Sequence, residues 1–180
     1  ARMLIVGVQG TSLSPDNPVI RDIRQRGVAG VILFGKNILP AAPGVSPKDT
    51  LTRFCHDLQA LTDRKLILSI DQEGGRVNRL KERLGFPRSV SQQYLGSCNR
   101  EDSTRHYAAR TAETLHETGF NVNFAPGGDL NINPACPVIG ALERSFSPHP
   151  ELVTRHAAYV VDEHRKQGVL TALKHFPGHG

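Results

Sequence analysis

The sequence predicts an α/β fold, a TIM-barrel-like (β/α)8 domain of which about five strands are present in the 180 residues. Short apolar, β-branched runs alternate with segments of helical periodicity, which is typical of buried parallel strands joined by helices. An open doubly wound sheet has the same order of elements. Two observations favour the barrel: no glycine-rich dinucleotide turn follows the first strand, and polar residues recur at the carboxyl ends of three strands.

Each element has its own local signal. Asn-Pro at 17–18 and Ser-Pro at 46–47 are typical helix starts, in which a capping side chain precedes a first-turn proline. Further helices are predicted over 100–118 and 149–168. Continuous apolar runs predict strands that are buried on both faces. Such strands are predicted over 3–8, 28–34 and 65–71, and two further strands are predicted over 122–125 and 169–176.

The length bounds the domain organisation. A complete barrel of this kind needs roughly 250 residues, so we expect the chain to be short by about three β-α units. It also ends directly after a strand, in the middle of a motif. No linker or internal repeat indicates a second domain. Residues 1–180 are therefore interpreted as the N-terminal part of a single, truncated barrel domain.

Composition excludes several classes of protein. The net charge is +5, but the basic residues are interleaved with acidic ones and only 6% of residues are aromatic, so no nucleic-acid interface is predicted. The longest apolar runs are strand-sized, which predicts no membrane span. Cys55, Cys98 and Cys136 are widely spaced, as expected of reduced thiols, and favour a cytoplasmic protein over an exported or periplasmic one.

The segment 71–79, Asp-Gln-Glu-Gly-Gly-Arg-Val-Asn-Arg, follows a predicted buried strand and places Asp71 at the barrel mouth. Its two glycines predict a sharp turn that a polar ligand can approach, although an ordinary turn with solvated charges fits as well. Asp71 and Glu73 lie about 7 Å apart along one strand, too close to straddle a sugar as a glycosidase pair does. Asp71 is interpreted as an acceptor for a hydroxyl group.

Two other excursions carry polar residues. The Asn and Asp residues of 123–134 are expected to bond their own backbone, and Arg144 by itself is expected to form a surface ion pair. Lys174 and His175 end the fifth strand, where burial of a lysine without a task is costly. His175 and His179 have i, i+4 spacing, but a proline and a glycine lie between them, so no metal site is predicted. No cofactor is indicated.

In this order the segments resemble the N-terminal domain of glycoside hydrolase family 3, in particular its β-N-acetylglucosaminidase branch. The resemblance covers nearly the whole chain. Lys-His-Phe is shared with β-glucosidase-like members, whereas the continuation Pro-Gly-His-Gly is similar to the hexosaminidase pattern. The matching segments are 10–13, 31–37, 71–79 and 174–180.

The resemblance implies a set of substrate-binding residues for a terminal N-acetylglucosamine. They are Asp71, Arg79, Arg144, Lys174 and His175. It implies no catalytic residue within this chain, because the family's nucleophilic Asp and its acid/base Asp-His pair follow Gly180, and His179 has no catalytic role. One departure concerns Gly127 and Gly128, which stand where the family usually has bulky aliphatic residues.

The function implied is that of a retaining exo-glycosidase that hydrolyses terminal β-linked N-acetylglucosamine from cell-wall fragments or related glycans through a covalent glycosyl-enzyme. A cytoplasmic role in peptidoglycan recycling follows from the same resemblance. Two alternatives stay open at this point. One alternative is a β-glucosidase or β-xylosidase of the same family. The other is a non-catalytic barrel that binds sugar.

Overall fold

A computed structural model describes residues 1–40 and 42–179. Its strands form one parallel sheet whose spatial order is the order of the chain. A doubly wound sheet reverses its strand order at a switch point, whereas a β/α barrel does not. The TIM-barrel-like interpretation is therefore confirmed. The strands are β1 (Ile5–Gly7), β2 (Gly30–Leu33), β3 (Ile67–Ile70), β4 (Val122–Asn123) and β5 (Leu170–Thr171).

Helices connect the successive strands, and two short 3-10 turns, Gly35–Asn37 and Glu82–Leu84, follow β2 and β3. Both predicted proline-containing caps are confirmed. The side chain of Asn17 accepts from the Val19 amide, and that of Ser46 accepts from the Asp49 amide. The helices are α1 (Pro18–Arg24), α2 (Pro47–Gln59), α3 (Gln92–Cys98), α4 (Glu101–Glu117) and α5 (Pro150–Lys166).

Helix α3 was not predicted. Its seven residues contain one buried aliphatic side chain, Leu95, so the apolar periodicity that identifies a helix is missing. Tertiary packing selects the helix instead, because Gly96 lies directly against the backbone of Phe146. Ser91 caps its start, and Asn99 ends it in the left-handed conformation with φ 46°.

The last two strands are shorter than the predicted ranges 122–125 and 169–176. Regular pairing covers two residues of each strand, and the chains then continue side by side with irregular hydrogen bonds. The Lys174 amide donates to the Pro126 carbonyl at 3.3 Å, and the Gly128 amide donates to the Lys174 carbonyl at 2.6 Å. Backbone hydrogen bonds thus hold the two segments together beyond the regular pairing of β4 and β5.

The prediction of buried strands is confirmed for the second and third strands, whereas the first strand is largely exposed among the described residues. Met3 is 95% exposed and Leu4 56%, and Leu170 of β5 is 69% exposed. In the described part of the chain, β1 pairs with β2 alone and β5 with β4 alone. These two strands are the edges of the sheet, whereas the central strands β2 and β3 are buried as expected.

Two apolar clusters hold the strands and helices together. A smaller one lies between α3, α4 and α5 and includes Leu95, Ala108 and Phe146. The larger one packs α1 and α2 against β2 and β3, and each fully buried large side chain in it contributes about 1.5–3 kcal/mol. Its buried members include Ile23, Val31, Leu33, Leu51, Phe54, Leu58, Leu68 and Leu115.

A buried polar network joins α5 to the ends of β3 and β4. His164 donates from Nδ1 to the Val160 carbonyl, and its Nε2 accepts from the Asn123 side chain at 3.0 Å. Asn123 also exchanges two hydrogen bonds with the backbone of Gln72. Burial lowers the pKa of His164 below its ordinary value, so the imidazole is held neutral.

We expect this histidine to make stability depend on pH. Below about pH 6.5 the unfolded chain binds a proton at His164 that the folded chain disfavours, so the free energy of unfolding falls as the pH falls. His164→Gln should reduce the slope of the melting temperature between roughly pH 7.5 and pH 5.5. His116→Gln, at an exposed helix position, serves as the control. An unchanged slope in His164→Gln would contradict the assignment.

Candidate functional site

Polar side chains from two strand ends meet at one ammonium group. Asp71 directly follows β3, and Lys174 lies three residues beyond β5. The Lys174 Nζ is 2.7 Å from Asp71 Oδ1 and 2.6 Å from Glu73 Oε1. The two carboxylates therefore converge on a single cation at the carboxyl ends of parallel strands, where barrel sites assemble.

Glu73 is the centre of the cluster, although sequence reasoning assigned it no role. Its side chain is 2% exposed, and its two oxygens accept from Arg144 Nε and Nη2 at 2.8 Å each. Burial alone raises the pKa of Glu73, but the hydrogen bonds from Arg144 and Lys174 outweigh it and hold the pKa below its ordinary value. Glu73 is a buried carboxylate paired with two cations.

Arg144 is not the surface ion pair that its neighbours in sequence suggested, because its side chain is only 13% exposed. Besides the two hydrogen bonds to Glu73, it donates to the Val138 carbonyl at 2.9 Å, and its Nη2 lies 3.1 Å from His175 Nε2. The backbone of Arg144 is held as well, since Gln92 donates to its carbonyl at 2.6 Å. The bond to Glu73 raises the pKa of the guanidinium.

The contacts of the Asp129 side chain also differ from the predicted ones. It was expected to bond its own turn, but Oδ2 instead accepts from His175 Nδ1 at 2.6 Å and from the His175 amide at 3.2 Å. Oδ1 accepts from the His179 amide at 2.8 Å. Burial raises the pKa of Asp129, but the hydrogen bonds from His175 and His179 outweigh it and lower the pKa overall. The carboxylate thus organises the segment that follows β5.

Arg79 is the one predicted residue that the structure does not join to the cluster. Its backbone amide donates to the Gln72 side chain at 2.9 Å, while its Nε is buried and has no hydrogen-bond partner among the described residues. A buried donor without an acceptor is costly in a folded protein. Four of the five predicted residues, Asp71, Arg144, Lys174 and His175, are connected by contacts of 2.6–3.1 Å that run through Glu73.

The cluster leaves a few groups open for a ligand. Lys174 has three donors, of which two are used by Asp71 and Glu73. Among the described residues no donor reaches the second oxygen of Asp71. Both ring nitrogens of His175 are already in contact with protein groups, Nε2 with Arg144 and Nδ1 with Asp129. The cluster thus offers a ligand one N–H donor, on Lys174, and one acceptor oxygen, on Asp71, side by side.

The two glycines of the 71–79 segment form the predicted sharp turn. Gly74 and Gly75 have φ values of 92° and 57°, as a sharp turn requires. A Cβ on Gly74 would lie 2.4 Å from the Val90 carbonyl oxygen, and one on Gly75 would lie 2.6 Å from Ser91 Cβ. The backbone that approaches this turn is therefore the chain's own segment before α3.

Gly127 and Gly128 differ from each other in the space around them. A Cβ on Gly127 would lie 2.8 Å from the Arg144 carbonyl oxygen, whereas one on Gly128 would meet nothing closer than the Lys174 carbonyl at 3.8 Å. Gln92 further exchanges two hydrogen bonds with the backbone of Gly127. The segment that carries Arg144 therefore packs directly on the end of β4, because position 127 has no side chain.

The described residues contain no group of three or more His, Cys, Asp or Glu side chains arranged to hold a metal ion. His175 and His179 face each other edge to face, with ring centroids 4.5 Å apart. Gly180, the last residue of the predicted terminal motif, lies outside the described residues. The three cysteines are free, and none of the described helices is long and apolar enough to cross a membrane.

The sequentially ordered parallel sheet, with charged side chains gathered at its carboxyl edge, defines a β/α-barrel protein of the kind that binds polar ligands at the barrel mouth. Residues 2–180 match the family described as the glycosyl hydrolase family 3 N terminal domain. The chain belongs to this family.

Similar proteins indicate to which branch of the family the chain belongs. The chain is 36% identical over 172 residues to beta-hexosaminidase A of Pseudoalteromonas piscicida, covering 94% of this chain and 28% of the relative. It is 32% identical over 185 residues to a beta-hexosaminidase of Xanthomonas axonopodis pv. citri, covering 99% and 51%. These relatives place the chain in the β-N-acetylglucosaminidase branch, which confirms the resemblance. The chain spans about half or less of their length.

Two solved structures share the fold closely. A family 3 beta-N-acetylglucosaminidase from Paenibacillus sp. str. FPU-7 superposes with a TM-score of 0.88 at 32% identity, covering 99% of this chain and 32% of that one. NagZ from Neisseria gonorrhoeae, in complex with N-trifluoroacetyl-D-glucosamine, superposes with a TM-score of 0.85 at 29% identity, covering 98% and 50%. The match extends over nearly the whole chain.

We expect Gly127→Ala and Gly128→Ala to differ in stability. Both substitutions reduce the conformational freedom of the unfolded chain equally, and neither position has a positive φ. Crowding at position 127 should nevertheless destabilise the protein by about 1–3 kcal/mol, because the Arg144 carbonyl has to move. Urea denaturation measures the difference, with Gly128→Ala as the matched control. Equal free energies of unfolding for the two variants would contradict the close packing of the Arg144 segment.

Proposed function

We propose that the protein is a glycosidase that hydrolyses terminal β-linked N-acetylglucosamine, and that Asp71, Arg79, Arg144, Lys174 and His175 form its sugar subsite. The observation that carries this proposal is the cluster at the ends of β3 and β5, in a chain whose relatives are beta-hexosaminidases. Residues 1–180 are proposed to form the N-terminal part of a single barrel domain.

The free groups of the site match the chemistry of a sugar ring. A hydroxyl group both donates and accepts, so it can donate to the open oxygen of Asp71 while it accepts from the third N–H of Lys174. Arg79 is included in the proposed subsite because the family resemblance implies it, although its Nε is buried in the structure. Arg144 and His175 are held by protein groups and are proposed to shape the subsite from the side.

Cleavage is assigned to residues outside this cluster. Glu73 is bound by two cations and Asp129 by three N–H groups, so neither carboxylate is free to attack a sugar or to transfer a proton. We propose the family's retaining mechanism. An Asp beyond residue 180 attacks the anomeric carbon, the leaving oxygen takes a proton from the Asp-His pair, and water then hydrolyses the covalent glycosyl-enzyme.

Cell-wall fragments are the proposed natural substrates, and peptidoglycan recycling in the cytoplasm is the proposed setting. N-acetylglucosamine is a component of such fragments, and the structure of NagZ from Neisseria gonorrhoeae was solved with an N-acylated glucosamine derivative. Three free cysteines, one of them exposed, support a reducing compartment.

The proposal is tested with the full-length protein on aryl glycosides. We expect aryl β-N-acetylglucosaminide to be hydrolysed faster than aryl β-glucoside or aryl β-xyloside. Asp71→Asn should lower kcat/KM by about 10²-fold or more, because the amide keeps one acceptor oxygen, which Lys174 requires, and presents a donor to the sugar hydroxyl group. Asp57→Asn, at an exposed helix position, is the matched control.

The alternatives predict different outcomes of the same assay. Faster release of the aryl group from the glucoside or the xyloside would contradict the proposal and would indicate a β-glucosidase or β-xylosidase. Binding of N-acetylglucosamine without hydrolysis of any of the three substrates would indicate a non-catalytic sugar-binding barrel. Equal activity of Asp71→Asn and the parent would remove Asp71 from the site.

A further inference from the structure

Asp129 is the second buried carboxylate of the region, and it touches no cation of the cluster directly. Its side chain is 1% exposed and lies at the end of β4, across from the segment that follows β5. Its three hydrogen bonds all come from that segment: two from His175 and one from the His179 amide. A carboxylate with this environment acts on the neighbouring strand end rather than on solvent.

The two neighbours of the His175 ring define its protonation pattern. Nε2 faces Arg144 Nη2 at 3.1 Å, and a guanidinium has donors only, so Nε2 must act as an acceptor. Nδ1 faces the Asp129 carboxylate at 2.6 Å, which accepts only, so Nδ1 must carry the proton. Both contacts are satisfied by one species, the neutral imidazole protonated at Nδ1.

We infer that Asp129 is a positioning residue, which fixes His175 as the Nδ1-protonated tautomer and ties the segment 175–179 to the end of β4. The bare Nε2 then accepts from Arg144 and helps hold the guanidinium on Glu73. Asp129 acts through His175 and does not touch the sugar itself. The consequence for sugar binding rests on the proposed function, whereas the tautomer is a property of the protein alone.

An asparagine at position 129 cannot replace the aspartate. Asp129 uses both oxygens as acceptors, one toward His175 and one toward the His179 amide. The amide of asparagine has one acceptor and one donor, so in either orientation its NH2 group faces an N–H. If it faces Nδ1, the ring must move its proton to Nε2, which then opposes the Arg144 donor. The substitution Asp129→Asn keeps the shape and disrupts the pattern of donors and acceptors.

The direct experiment is NMR of the full-length protein with 15N-labelled histidine, in which the His175 signals are assigned by their loss in His175→Gln. We expect a protonated Nδ1 and a bare Nε2 in the parent protein without any sugar. Asp129→Asn should either shift the proton toward Nε2 or break the hydrogen bond from the His179 amide, and in both cases weaken binding of N-acetylglucosamine by about 10- to 100-fold, as loss of an orienting group does at metal sites. Binding is measured by calorimetric titration.

Glu163→Gln is the control, because it also converts a buried, hydrogen-bonded carboxylate to an amide, between α4 and α5 and away from the site. It should leave the His175 signals and the sugar affinity unchanged. A parent spectrum with the proton on Nε2 would overturn the inference, even if Asp129→Asn does not fold. Unchanged His175 signals and unchanged affinity in a folded Asp129→Asn would overturn it as well, whatever happens to the melting temperature.

The outcomes separate this inference from the proposed function. If the parent protein shows the Nδ1-protonated ring, and Asp129→Asn changes it, the positioning role is supported even when no sugar binds. Failure of the parent to bind N-acetylglucosamine would then count against the proposed function alone.

Discussion

The site depends on one electrostatic constraint, the burial of the Glu73 carboxylate. A charge that is removed from water must be paired and hydrogen-bonded, and Glu73 meets this requirement with Arg144 and Lys174. The two cations come from different segments, one between β4 and α5 and one after β5. A single anion on the loop after β3 therefore ties together the three segments that form the carboxyl edge of the sheet.

Asp129 is a second buried anion, and it is also held by hydrogen bonds from the protein. Asp129 holds His175, and His175 contacts Arg144, so Glu73 supports the guanidinium directly and Asp129 supports it through His175. Positive and negative groups are balanced across the region, which allows several charged side chains to lie partly buried together. The groups left open, on Asp71 and Lys174, are an acceptor and a donor that a sugar hydroxyl group can use. The protein thus holds its binding groups in place before a ligand arrives.

Much of the fold followed from local sequence patterns, and the site followed only in part. Alternating apolar runs and the Asn17 and Ser46 caps are local signals, so they predicted elements correctly. Helix α3 depends on contact with a distant backbone, which no local pattern contains. The irregular hydrogen bonds beyond β4 and β5 likewise depend on pairing between distant segments.

The site residues show the same division. Lys174 was conspicuous because a lysine at the end of a buried strand requires a partner, and the structure supplies two. Glu73 and Asp129 were assigned no role because their partners lie 71 and 46 residues away in sequence. A signal was nevertheless present: each acid is followed or preceded by a glycine pair close to a strand end. Gly74, Gly75 and Gly127 pack closely against other segments of the chain, whereas Gly128 has space around it.

The most direct test of the role of Glu73 is the free energy of unfolding of Glu73→Gln, measured by urea denaturation beside Glu143→Gln. Glu143 is the matched control, because it is an exposed acid paired with Arg76 next to Arg144 in sequence. Loss of the buried charge leaves Arg144 without a carboxylate partner and Lys174 with Asp71 alone, and should cost about 3–5 kcal/mol. The exposed pair should contribute no more than about 1 kcal/mol. Equal stability of the two variants would contradict the account of Glu73 as the anion on which the site depends.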